Sequence, residues 1–206
     1  MQREKRQLRR LETLIDVVFA LMIVLITMDF PRPAEDVAFE LVPYLTSSLL
    51  AFIHAALGIA VLLVYWFQNN LLLGNLARTD GKHATLSIIQ VFLTLLYLFT
   101  VVLGAHVGTD SLVLAAQSAA AALLGLAAAG AWWYASYDRK LLTDESDDRE
   151  IHALRLRVLA EPITALLTLA LAFVSALAWE LGWMAYPLVV IVLRRLGLDY
   201  AHEAEQ

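Results

Sequence analysis

Cysteine is absent from all 206 residues. That excludes disulfides, thiol nucleophiles and cysteine-based metal sites. Charge is absent from long stretches: residues 45–67, 84–105 and 112–137 contain no Asp, Glu, Lys or Arg. A solvated surface needs such side chains, whereas about 20 consecutive apolar residues cross a hydrocarbon core. Also missing are a glycine-rich phosphate loop, a nucleophile–base pair, a basic nucleic-acid patch and a carbonyl filter of the TVGYG type. No enzyme and no cofactor are therefore expected. The histidines suggest no metal site, since His83, His106, His152 and His202 fall at ends or in loops and only His54 lies within an apolar run.

What is present is apolar. Hydrophobic residues make up 60% of the chain and the mean hydropathy is +0.68, where a soluble domain is nearer half apolar. The expected class is an all-α integral membrane protein, one domain over residues 1–206. Six transmembrane helices are expected at about 11–30, 45–67, 84–105, 112–137, 158–179 and 181–193. The basic start leads into a run too long for a signal-peptide core, with no small-residue cleavage site. Pro31-Arg32-Pro33 closes the first run, because proline cannot continue a helix. Residues 138–157 form a charged loop with an amphipathic end, and the fourth run is rich in Ala and Gly, which permits close helix packing.

Lys and Arg order these spans across the bilayer. With the N-terminus inside, the segments 1–10, 68–83, 138–157 and 194–206 hold five, two, five and two of the fifteen basic residues, leaving only Arg32 outside. Both termini are thus expected in the cytoplasm. The outer side would carry Asp29, Glu35, Asp36, Glu40, Asp110 and Glu180, which either concentrate cations or simply keep translocated loops solvated.

The first span is unusual in carrying Glu12 and Asp16, because ionisable residues at membrane depth generally face protein or water. At ~100° per residue and with Leu21 at the origin, Leu14 falls at ~20°, Val17 at ~320°, Val24 at ~300°, Leu25 at ~40° and Met28 at ~340°. Asp16 at ~220° and Thr27 at ~240° lie on another side. The apolar stripe can face lipid, a neighbouring helix or a pore.

Arg10-Leu11-Glu12-Thr13-Leu14-Ile15-Asp16, followed by Val17-Val18-Phe19-Ala20-Leu21, resembles the R-x-x-x-F-S-D signature of the transmembrane protein 175 family of endosomal and lysosomal potassium channels. Leu14 and Ile15 replace the Phe-Ser pair. Trp66-Phe67-Gln68-Asn69-Asn70-Leu71 is similar to a second family patch, with Asn69 and Asn70 where histidines are usual. Six spans in about 200 residues resemble the single-repeat prokaryotic form.

The resemblance implies a homotetramer in a cell membrane, in a prokaryote the inner membrane, with the four first helices lining a pore for monovalent cations, K+ favoured. It implies a constriction at Leu21, Leu25 and Met28, with Leu14, Val17 and Val24 also lining the pore. Many relatives have a hydroxyl residue eight positions after the Asp, where this chain has Val24, so selectivity would either be weaker or rest wholly on the apolar ring. Arg10, Asp16, Trp66, Asn69 and Asn70 are the expected bracing network behind the pore helix.

Other readings stay open at this point. Asp16, His54 or Glu161 could serve a proton channel or proton-coupled transporter, and a non-conducting scaffold is a further alternative. For His54 an interhelical hydrogen bond is the ordinary expectation, and for Glu161 a helix-start acid paired with Arg155 or Arg157. Trp132, Trp133, Tyr134, Trp179, Trp183 and Tyr186 are expected in interfacial aromatic belts.

Overall fold

The computed structural model describes residues 2–28, 41–108, 110–144 and 147–203. Among them it is all helical: α1 Gln2–Met28, α2 Leu41–Gly74, α3 Gly81–Val107, α4 Ser111–Ser136, a 3-10 turn Tyr137–Arg139, α5 Asp148–Arg157, α6 Ala160–Leu171, α7 Ala176–Trp183 and α8 Tyr186–Glu203. The Pro31-Arg32-Pro33 break and the acids Asp29, Glu35, Asp36 and Glu40 lie outside the described residues.

Helix α4 sits at the centre and packs on α3 and α6. Ala120, Ala121, Ala122, Ala128, Ala129, Ala131 and Ala135 are buried along it, and small side chains let neighbouring backbones approach. On α4 the approach is close at Gly125, where a Cβ would stand 2.7 Å from Pro162 Cδ and 3.2 Å from the Tyr65 hydroxyl. Helix α1 is peripheral and packs mainly on α2 and α3.

Capping side chains set several helix starts. Asp80 accepts from His83 N–H, Asp110 from Leu112 N–H, Asp147 from Arg149 N–H and Ser175 from Ala178 N–H, each satisfying an otherwise unpaired donor. The break between α5 and α6 at Val158-Leu159 follows from Pro162, which has no N–H for the Val158 carbonyl and crowds it.

Four helices, α1 to α4, are long and apolar enough to cross a membrane, and α7–α8 makes a fifth crossing if the pair, bent by 41°, is one span. Three sequence expectations are corrected here. Helix α2 runs on to Gly74, so Gln68, Asn69 and Asn70 lie on the helix rather than in a connector. The expected fifth span, 158–179, does not run through: α6 stops at Leu171, and Ser175, in extended backbone (φ −170°, ψ 159°), starts α7. Helix α7 then folds back on α6, where Gly182 meets Leu171 and Thr168. Residues 176–179 therefore belong to the returning helix, and Glu180 sits within α7 rather than in a loop.

The α2–α3 and α4–α5 loops meet. Ala77 N–H donates to Leu141 O (2.9 Å) and Thr143 N–H to Asn75 O (3.0 Å). Tyr134 donates to Asp80 Oδ2 (2.7 Å), Lys140 Nζ lies 3.2 Å from the same oxygen and also donates to Tyr134, and Arg78 donates to Lys140 O. Partial burial pushes the Asp80 carboxyl up, but the His83 N–H, Tyr134 and Lys140 outweigh it and hold it at about 2. Tyr134 and Asp80 in turn raise Lys140.

Candidate pore-lining helix

Helix α1 has two apolar faces. Leu8, Leu11, Ile15, Phe19, Met22 and Ile26, spaced by three and four, are buried against the bundle. Leu14, Val17, Leu21, Val24, Leu25 and Met28 are all exposed in the single chain, from 37% at Leu25 to 58% at Val17 and Met28. Every residue placed on the stripe by helical spacing is thus on the open face. These six side chains are aliphatic or thioether, with Thr13, Asp16 and Thr27 also exposed on α1, whereas the open face of α3 carries Phe92 and Phe99.

Of the expected bracing network, one pair is brought together. Trp66 Nε1 donates to Asp16 Oδ1 at 2.9 Å, tying α2 to α1. Arg10 and Asn70 are exposed, and Asn69 is buried with an unpaired side-chain nitrogen. None of these three makes a hydrogen bond or ion pair with Asp16 or Trp66, because Asp16 accepts from the indole on its bundle side while Arg10 sits more than a turn away. Thr27 is exposed and spends its hydroxyl on Val24 O (2.7 Å).

The remaining polar residues of the apolar runs are internal. His54 is buried, stacks on Trp179 (centroids 5.6 Å apart) and is pressed by Gly104, with neither ring nitrogen hydrogen-bonded. Its expected interhelical hydrogen bond is not completed, although the Gln117 side chain comes near the ring. Glu161 is buried and accepts from the Tyr186 hydroxyl at 2.7 Å. It makes no ion pair with Arg155 or Arg157; Arg155 instead donates to Ser136 Oγ (3.0 Å) and to Ser136 O. Trp132, Trp179 and Trp183 are core residues, not belt residues, as all three are buried. Trp179 donates to Ser118 Oγ (2.8 Å), which in turn meets Thr168 Oγ1 (3.0 Å). The Glu161–Tyr186 pair and the Asp80–Tyr134–Lys140 cluster have no sequence motif; each joins residues 25 or more positions apart at its widest. Among the described residues no group of His, Asp and Glu could hold a metal ion.

These features define a class: a multi-pass helical membrane protein with an unpartnered apolar helix face at the edge of its bundle. The sequence pattern of the endosomal/lysosomal potassium channel TMEM175 matches residues 10–103. The fold is similar to the crystal structure of a lysosomal potassium-selective channel TMEM175 homologue from Chamaesiphon minutus, with a TM-score of 0.68 and 21% identity over 98% of this chain and 100% of that one. It is also similar to a threonine-to-alanine variant of the potassium channel MtTMEM175 in complex with a nanobody–MBP fusion, with a TM-score of 0.65 and 19% identity over 91% and 92%. No curated protein sequence matches the chain. The family pattern thus covers the first three helices, and the likeness of the whole length to these structures is one of fold. Both of these similar structures are described as potassium channels.

Proposed function

We propose that this chain is the subunit of a homotetrameric, passive cation channel that favours K+, with both termini in the cytoplasm and the shortened α6 and the returning α7–α8 as the last two of six passages. The observation that carries the reading is the open apolar face of α1, Leu14 to Met28, on a helix held by its neighbours along the opposite face only. Four copies turning this face inward would enclose a pore, with rings of Leu21, Leu25 and Met28 as its constriction and Leu14, Val17 and Val24 lining the rest. Such rings strip part of an ion's hydration and, when narrow, dewet and close. Val24 offers no hydroxyl, so discrimination falls to ring size alone. The meeting of the α2–α3 and α4–α5 loops supports the topology, since two crossings, α3 and α4, separate them and both carry Lys or Arg. In this reading Asp16 is a strut rather than an ion ligand, because its carboxylate is engaged by Trp66.

The test is K+, Na+ and Cs+ flux from liposomes holding the purified protein, beside Leu25→Asn and Leu21→Ala. K+ flux above Na+ flux, altered by either variant, is the expected result. A silent wild type beside a conducting Leu25→Asn would mean an apolar gate held shut. Silence from all three, in vesicles that valinomycin shows to be intact, overturns the channel and leaves a scaffold. Flux that follows a pH gradient and is lost on replacing Asp16, His54 or Glu161 would favour the proton-coupled alternative.

A further inference from the structure

A cavity of about 320 Å3 lies between α2, α6 and the α7–α8 bend, away from the open face of α1. That volume is at the lower end of those that hold small ligands, and such sites form between helices of bundles. The cavity lies where α7 and α8 meet at the 41° bend, and α2 presents Leu57, Ala60, Val61, Val64 and Tyr65 to it. Pro187, in the first turn of α8, suits a helix start where no N–H is required.

The lining is almost wholly carbon, with Glu161 as its one acidic member. Glu161 is 2% exposed. Its Oε1 accepts from Tyr186, while Oε2 is buried with no hydrogen-bond partner. Two further polar groups come near it, the Gln68 amide and the Arg157 guanidinium, and neither completes a hydrogen bond or ion pair with that oxygen. A buried acceptor left bare is costly. The other residues with polar atoms along the lining are Tyr65, Tyr186 and Trp183, whose indole nitrogen is likewise buried without a partner.

We propose that this cavity binds a lipophilic amine: a compact apolar body against Val64, Tyr65 and Trp183, with its ammonium donating to Glu161 Oε2. The exposed Ala60 and Met184 stand at the opening, so the ligand enters from the membrane phase, into which an apolar body partitions. A charge-assisted hydrogen bond to a buried carboxylate supplies orientation and the carbon walls supply area.

The test uses the purified full chain in detergent, with adamantan-1-amine as probe and adamantane-1-carboxylic acid and adamantan-1-ol as controls, read by calorimetry and thermal melting. The amine is expected to bind saturably and raise the melting temperature, the acid to do neither, and the alcohol to bind more weakly. Glu161→Gln should weaken amine binding at least about tenfold. Ala60→Phe, which fills the cavity from its exposed rim without touching the Glu161–Tyr186 pair, should abolish it and covers the case in which Glu161→Gln fails to fold. Absence of saturable binding, or equal binding by Ala60→Phe, means partition into detergent and overturns the site. Equal affinity for the alcohol, or for Glu161→Gln, overturns the ammonium assignment. The readout is binding rather than flux, so its failure and that of the channel reading are distinguishable.

Discussion

At the scale of single residues, position relative to the bundle decides what each polar side chain does. Asp16 and Glu161 are both carboxylates in apolar segments, yet one meets an indole N–H across a helix pair and the other lines a cavity. The Trp66–Asp16 bond joins α1 to the bundle, so its loss should loosen the pore helix. Replacing Asp16 with Ala is expected to cost about 1–3 kcal/mol, the range for a hydrogen bond to a charged group, and to lower tetramer yield on size-exclusion chromatography before altering ion selectivity. Trp66→Phe, which removes the donor together with part of the ring, should reproduce the defect. An unchanged tetramer yield in both would count against the strut role. The Arg and Asp of the first span were legible as a motif, and so was the exposed apolar stripe on α1, because helical spacing alone sorts one face from another. That Arg10, Asn69 and Asn70 stand apart from Asp16 was not legible, since it depends on how α2 is rotated against α1.

At the scale of elements, helix existence was written in the apolar runs and helix ends were written in caps and prolines. Three of the four caps, Asp80, Asp110 and Asp147, precede their helices in polar sequence. Ser175 is hidden inside Leu171-Ala172-Phe173-Val174-Ser175-Ala176-Leu177, a run with no Gly or Pro to mark a turn. The reversal there is a matter of packing: Gly182 and Trp179 of the returning helix dock on Thr168 and Ser118. Ser175→Ala removes the acceptor for Ala178 N–H and should lower stability by about 1 kcal/mol in denaturant titrations in detergent, with Ser175→Asp restoring most of it. A Ser175→Ala protein as stable as the wild type would mean that packing alone sets the turn.

At the scale of the whole molecule, two loops far apart in sequence are stapled on one side through Asp80, Tyr134 and Lys140. The Asp80 carboxyl is held at about 2, below its ordinary 3.8. Its contribution is therefore complete above 3.8 and is lost as pH falls towards about 2. Asp80→Asn keeps an N-cap acceptor and removes only the charge, so the melting-temperature gap between it and the wild type should hold steady above pH 3.8 and close towards pH 2. A gap that persists at low pH would show that the charge plays no part. The sequence by itself determined that this chain is a helical membrane protein, the placement of its first four helices, the stripe on α1 and the family signature, because hydrophobic runs and helical spacing are local properties. The fold decided what depends on contacts between distant segments: the reversal at Ser175, the burial of Trp179 and Trp183, the release of Glu161 from its expected arginines and the cavity beside it. No local pattern specifies these, because each follows from the angle at which one helix meets another.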